Sequence, residues 1–131
     1  MNANLSFLID IEDWSEKYLA IMEFGKTLRP LDENLKNNEN KIVGCQSRVW
    51  LSLVFDGNIV KINGEADSRL VQGLLAIIIE IYKDKTPLQI TKMDESWITG
   101  LGLDKNISMI RRSGMNAIIK NIKLRTFDLN M

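Results

Sequence analysis

Val49-Trp50-Leu51-Ser52-Leu53-Val54-Phe55-Asp56-Gly57-Asn58-Ile59-Val60-Lys61-Ile62-Asn63-Gly64-Glu65 is the stretch whose reading decides the fold. Val49, Leu51, Leu53 and Phe55 alternate with Trp50, Ser52 and Val54, the period of two that sends successive side chains to opposite faces of a strand. Asp56-Gly57-Asn58 then supplies a tight turn, with Gly57 free to take a positive φ. The chain returns through Ile59–Glu65, so the stretch predicts an antiparallel β-hairpin. A third short strand is expected near Lys41–Val43 or elsewhere, giving a small sheet of about three strands.

Downstream the period changes. Leu70, Val71, Leu74, Leu75, Ile77, Ile78, Ile79 and Ile81 leave little polar surface on a helix that Asp67 or Ser68 caps and that runs to about Tyr82. A helix apolar nearly all round is a buried one. Thr86-Pro87 opens a short helix with proline at its first turn. Trp97–Leu103 reads as a packed turn region. Ser108 caps a last helix to about Leu124, with Ile110, Ala117, Ile118 and Ile122 inward and Arg111, Arg112, Lys120, Lys123 and Arg125 outward.

Upstream, Asp13-Trp14-Ser15-Glu16 reads as a capping box. It divides a short helix before Asp13 from a longer one over Trp14–Phe24. Trp14, Tyr18, Ile21 and Met22 face inward there, and Gly25 acts as a stop. Residues 29–40 are polar, carry Pro30 and four asparagines, and read as a long surface loop. Helices, then a hairpin, then helices predict an α+β fold with helices packed mainly on one face of a small antiparallel sheet. The 131 residues are expected to form a single domain over 1–131.

Composition prunes the chemistry. The chain holds 17 basic and 17 acidic residues, so no basic excess points to nucleic acid. The charge is unevenly spread: residues 1–40 carry four basic and eight acidic side chains, residues 104–131 six and two. The longest apolar run, Leu74–Ile79, is about a third of a membrane span. The first residues lack the basic region and cleavage site of a signal peptide, so a cytoplasmic protein is expected. There is no histidine and one cysteine, Cys45. One cysteine forms no internal disulfide, a structural zinc needs about four Cys/His-type ligands, and a Cys–His or Ser–His hydrolase needs an imidazole base. No phosphate-cradling glycine loop is present. The protein is expected to hold no metal and no organic cofactor.

Cys45 sits in Val43-Gly44-Cys45-Gln46-Ser47, after the polar loop and before the hairpin. By itself a lone cysteine is more often a small buried hydrophobe than a site. The longer run Gly44-Cys45-Gln46-Ser47-Arg48-Val49-Trp50, however, resembles the GCQSxVW motif of the SufE/CsdE family of sulfur-acceptor proteins. Further segments are similar to that family in the same order: Trp14–Tyr18 with Gly25, Gly64–Leu75, Lys85-Thr86-Pro87, Leu101-Gly102-Leu103, and Ser108 with Arg111–Met115. Glu65-Ala66 and Met109-Ile110 depart from the pattern of some members.

The resemblance implies a SufE/IscU-like fold and a protein without independent catalysis. Cys45 would accept persulfide sulfur from a SufS- or CsdA-like cysteine desulfurase, which carries pyridoxal phosphate. The protein would stimulate that enzyme and deliver sulfur to an iron–sulfur cluster assembly scaffold. The thiolate is the nucleophile in such an exchange, and with no histidine its activation falls to a cation, a backbone N–H or the partner. Arg111 and Arg48 are the candidate cations. Arg111 stands at a helix start, where the dipole disfavours a cation. Gly44 provides a hinge, Gln46 and Ser47 provide hydrogen-bonding groups, and Asp67 reads first as a cap and second as a site residue. The free protein is expected to shelter Cys45 and expose it on docking. The alternative is a structural interaction module in which Cys45 is a non-functional thiol.

Overall fold

A computed structural model describes residues 3–105 and 107–129. The hairpin is where the alternation puts it. Strand β1 (Val49–Asp56) pairs antiparallel with β2 (Ile59–Ala66), in a register running from Val49 opposite Ala66 to Asp56 opposite Ile59. Gly57 closes the turn with φ +66.

Among the described residues the sheet has two strands, not three. Lys41 forms a single bridge opposite Trp50, with the Ile42 N–H donating to Val49 O and the Leu51 N–H to Asn40 O. The chain then turns at Val43-Gly44, where Gly44 has φ +100, so the ladder ends after one pair.

Helix α1 (Trp14–Gly25) packs on α2 (Arg69–Tyr82), and α2 in turn lies on β2. The approach of α1 to α2 depends on two glycines. A Cβ on Gly73 would lie 2.2 Å from Ile21 O, and one on Gly25 would lie 2.8 Å from Gly73 N. Helix α1 does stop at Gly25, with Lys26 as its C-cap, but Gly25 is not among the positive-φ glycines, and its missing side chain also serves the contact with α2. The expected capping box is half formed: the Asp13 carboxylate accepts from the Ser15 N–H at 3.1 Å, not from that of Glu16.

The short helices α3 (Pro87–Lys92) and α4 (Ser96–Gly100) follow. Thr86 and Gln89 form a reciprocal capping box on α3. The buried Trp97 indole donates to the Tyr82 hydroxyl at 3.1 Å. In the turn after α4, Gly102 has φ +71 and its carbonyl accepts from the buried Lys17 ammonium at 3.2 Å. Lys17 also lies over the Trp14 ring, and burial pushes its pKa down.

Helix α5 (Met109–Leu129) runs past Leu124 and crosses the molecule. Met115, Ile118, Ile119 and Ile122 form its buried stripe, while Ile110 is exposed rather than inward. Arg125 donates to Leu51 O at 2.5 Å and to Glu39 O at 3.0 Å, and Lys123 donates to Met93 O. Two of the outward cations thus tie α5 to β1, to the 37–40 segment and to the end of α3.

Candidate functional site

The site is assembled where the segment before β1 folds back over the starts of α2 and α5. Ile42, buried beside the Val49 strand end, anchors one side of the 43–48 loop. Arg48 anchors the other. Its N–H donates to Asp67 Oδ1 at 2.9 Å, its Nε donates to Asp67 Oδ2 at 3.0 Å, and its carbonyl accepts from the Asp67 N–H at 3.1 Å. The guanidinium also lies over the Trp50 ring, 5.6 Å from its centroid. Trp50 receives a second cation, Lys36, at 5.8 Å, and Lys36 pairs with Glu65 at 2.5 Å.

Asp67 is therefore not the cap of α2. Ser68 fills that role, accepting from the Val71 N–H at 3.5 Å. Asp67 instead clasps the loop, and the Arg48 hydrogen bond holds its carboxyl below the usual carboxylate range.

Between these anchors Gly44 makes the bend. A Cβ there would be 3.3 Å from Ala117 Cβ as well as in an unfavourable φ region. The bend turns Cys45 toward α5. Its thiol donates to the Gly114 carbonyl across 3.6 Å. The half-buried sulfur faces a small, largely apolar cleft. Val71 and Leu74 of α2 and Ile110, Met115 and Ile118 of α5 supply its apolar walls, while Gln46, Ser47 and Arg111 stand along its lining. Burial pushes the Cys45 thiol pKa up, because a thiolate loses hydration there. A carbonyl oxygen on the sulfur works in the same direction, since it accepts from S–H and repels S⁻.

Cys45, Gln46, Ser47 and Arg111 are brought together by the structure, with Gly44 adjacent. Gln46 and Ser47 make no side-chain hydrogen bond among the described residues. Asp67 is joined to the group through Arg48 rather than by lining the cleft. The role of the Gly114 carbonyl was not read from the sequence, although Gly114 falls one helical turn from Ile110 and Arg111 on the same face. No cluster of three or more His, Cys, Asp or Glu able to hold a metal occurs among the described residues. No helix there is long and apolar enough to cross a membrane.

A family model described as a SufE Fe-S metabolism associated domain matches residues 4–126. The chain belongs to the SufE family. A SufE-like relative from Rhizobium etli, itself uncharacterized, is 34% identical, with the match covering 92% of this chain and 88% of the relative. The solution structure of a hypothetical protein from Thermus thermophilus has a TM-score of 0.77 over 95% of this chain and 91% of that one. Its 12% identity makes the likeness one of fold. Membership of the SufE family ties the chain to iron–sulfur metabolism and to a sulfur-transfer role within it. What this chain adds is the local chemistry: one thiol, a bend that only glycine takes without strain, and a clasp on the loop that carries both.

Proposed function

We propose that Cys45 is a persulfide acceptor, loaded by a cysteine desulfurase whose pyridoxal phosphate does the carbon–sulfur chemistry. The protein then passes the sulfur on for iron–sulfur cluster assembly. The observation that carries this reading is the placement of the chain's one thiol on a glycine-hinged loop over an apolar cleft. The exchange needs no external oxidant. The Cys45 thiolate attacks the outer sulfur of the donor persulfide and a new S–S bond forms at Cys45. The donor's own S–S bond breaks, and the donor cysteine leaves as a thiolate. The outer sulfur changes owner and the total oxidation level is conserved.

The closed geometry suits storage rather than attack. A thiol pushed up in pKa, facing a carbonyl, stays protonated and slow. Docking favours a thiol-out conformer by binding it better than the closed one. If opening costs about 1.4 kcal/mol, roughly a tenth of the free protein is open. Arg111, lining the same cleft, is a cation available to the emerging thiolate. The protein acts as a partner and activator of the desulfurase and holds no cofactor of its own. A cytoplasmic location fits this partnership.

The test is incubation with the desulfurase and L-cysteine, followed by intact-mass measurement of the protein and of Cys45→Ser. The wild type is expected to gain whole sulfur atoms on the Cys45 peptide and to raise desulfurase turnover under reducing conditions. Cys45→Ser is expected to fold, to bind and to do neither. Full stimulation by Cys45→Ser would assign the protein to the structural interaction modules instead.

A further inference from the structure

Strand β1 has a second edge, the one that does not meet β2. The Ile42 N–H donates to Val49 O and the Leu51 N–H to Asn40 O, so the odd-numbered residues of β1 aim their main-chain groups away from β2. Val60, opposite Phe55, keeps the same phase and bonds outward to residues 84 and 85. Beyond Leu51, whose carbonyl accepts from Arg125, the cover on β1 stops. Leu53 and Phe55 come next in phase. Their N–H and C=O groups have no hydrogen-bond partner among the described residues. Folded proteins commonly blunt a free edge with a lysine, a proline or a bulge. Leu53-Val54-Phe55 carries none of these, and the side chain of Val54 is 52% exposed.

An open groove runs beside this edge. Leu35, Leu53 and Leu129 give it apolar walls, and Glu39, Asp128 and Arg125 give it charge. The Arg125 guanidinium is already taken up by Leu51 O, Glu39 O and Asn40 Oδ1. The Glu39 and Asp128 carboxylates have neither an ion pair nor a hydrogen bond among the described residues. The charge left for a ligand is therefore negative.

We propose that the free edge of β1 takes up an extended apolar segment of a partner protein, bearing lysine or arginine, as an added strand. Its N–H groups donate to the Leu53 and Phe55 carbonyls, and its carbonyls accept from the two N–H groups. Every second side chain of the segment is apolar and covers Leu35, Leu53 and Leu129, while its cations stand opposite Glu39 and Asp128. Charge decides against a second copy of this chain. Pairing β1 with itself about Val54 sets Ser52 opposite Asp56, which brings another carboxylate to a groove that Ser52 and Asp128 both line. The groove meets α5 at Arg125, eleven residues or about 16 Å along the helix from Gly114, the residue that receives the thiol. The added strand leaves the Cys45 cleft free, and the proposal does not depend on the carrier reading.

The experiment follows amide hydrogen exchange of the nitrogen-15-labelled full-length protein by NMR. The probe is a short capped peptide alternating lysine with valine. Without it the Leu53 and Phe55 amides are expected to exchange fast; at saturating peptide they should slow about tenfold or more. The same peptide with N-methylated amides, or with glutamate for lysine, should give no protection. Raising salt from about 0.01 to about 1 M shortens the screening length from ~30 to ~3 Å and should weaken binding several-fold. Glu39→Gln with Asp128→Asn should weaken it by a similar factor at low salt. Glu12→Gln with Glu16→Gln, the same charge change around the start of α1, should leave it near the wild-type value. Circular dichroism and melting confirm that each variant is folded.

The proposal is overturned if saturating peptide leaves the two amides unprotected, if the N-methylated peptide protects them as well, or if the two double variants weaken binding equally. Protection of Leu53 and Phe55 that rises with protein concentration alone assigns the edge to a second copy and overturns it too. Protection that is already complete in the dilute free protein shows that the edge is covered, with the same consequence. Sulfur loading of Cys45, read by mass, is unaffected by each of these outcomes.

Discussion

At the scale of single residues, the reactivity of Cys45 is set by neighbours that carry no sulfur chemistry themselves. Gly44 lets the chain bend, the Gly114 carbonyl receives the thiol, and Asp67 holds the far end of the loop through Arg48. The Arg48–Asp67 pair is largely exposed, so it contributes little to global stability. Its effect is local, because it fixes both the backbone and the side chain of the residue three positions after the thiol. Asp67→Ala removes the acceptor for the Arg48 N–H and the partner of its guanidinium together. The melting temperature is expected to move by no more than a few degrees, since surface losses of this kind are within about 1 kcal/mol. Alkylation of Cys45 should become several-fold faster at the same pH, as the loop samples open conformers more often. An unchanged alkylation rate would mean that the Ile42 anchor and the apolar cleft hold the loop without help from Asp67.

At the scale of elements, the hairpin and the buried helix were legible because their periods are unambiguous. Apolar residues at every second position from Val49 to Phe55, followed by an Asp-Gly turn, point to a hairpin even though Trp50 and Val54 interrupt the polar face, and the eight apolar positions of Leu70–Ile81 leave α2 nowhere to go but the core. What was not legible depends on partners distant in sequence. Lys41–Val43 carries a strand-like composition, yet it gains one bridge to Trp50 because the chain must turn at Gly44 to place Cys45 over α5. Asp67 and Ser68 are equally good caps by type, and only the approach of Arg48 shows which one is spent elsewhere. Gly25 reads as a stop signal, and α1 does end there, but its contact with Gly73 is seen only in the fold. That last contact carries a prediction. A methyl on Gly73 would meet the Ile21 carbonyl at 2.2 Å, backbone against backbone, where no side chain can rotate away. Gly73→Ala gains helix propensity worth about 1 kcal/mol and must still force α1 and α2 apart. Overpacking of this kind typically costs ~1–3 kcal/mol or more, so chemical denaturation should give a net loss in stability. Equal or higher stability would show that α1 rides on α2 with slack.

At the scale of the whole molecule, protonation links the thiol to folding. The Cys45 pKa is raised in the folded protein by burial, so the folded state holds its thiol proton more tightly than the unfolded chain does. Stability slopes with pH as the difference in protons bound, and here the folded state binds more. The contribution of Cys45 is therefore fully present below the unfolded thiol's pKa and is lost as pH rises through the folded one. Asp67 has the opposite sign. Its pKa is lowered by Arg48, so its contribution is present above the ordinary carboxylate range and is lost as pH falls through the lowered value. The closed, sheltered loop is thus most stable between the two and loosens on either side. Two measurements read the alkaline limb. The alkylation rate of Cys45 against pH should have its midpoint above that of a cysteine in an unstructured peptide, and adding urea to unfolding concentrations should bring the two midpoints together. In parallel, the melting temperature of the wild type should decline more steeply than that of Cys45→Ser as pH rises through the thiol range, because serine has no proton to release there. Coincident alkylation midpoints for folded protein and peptide would show that the free protein already presents a solvated thiol. Sulfur transfer would then need no opening step, and the partner would act by orienting the donor persulfide rather than by drawing Cys45 out.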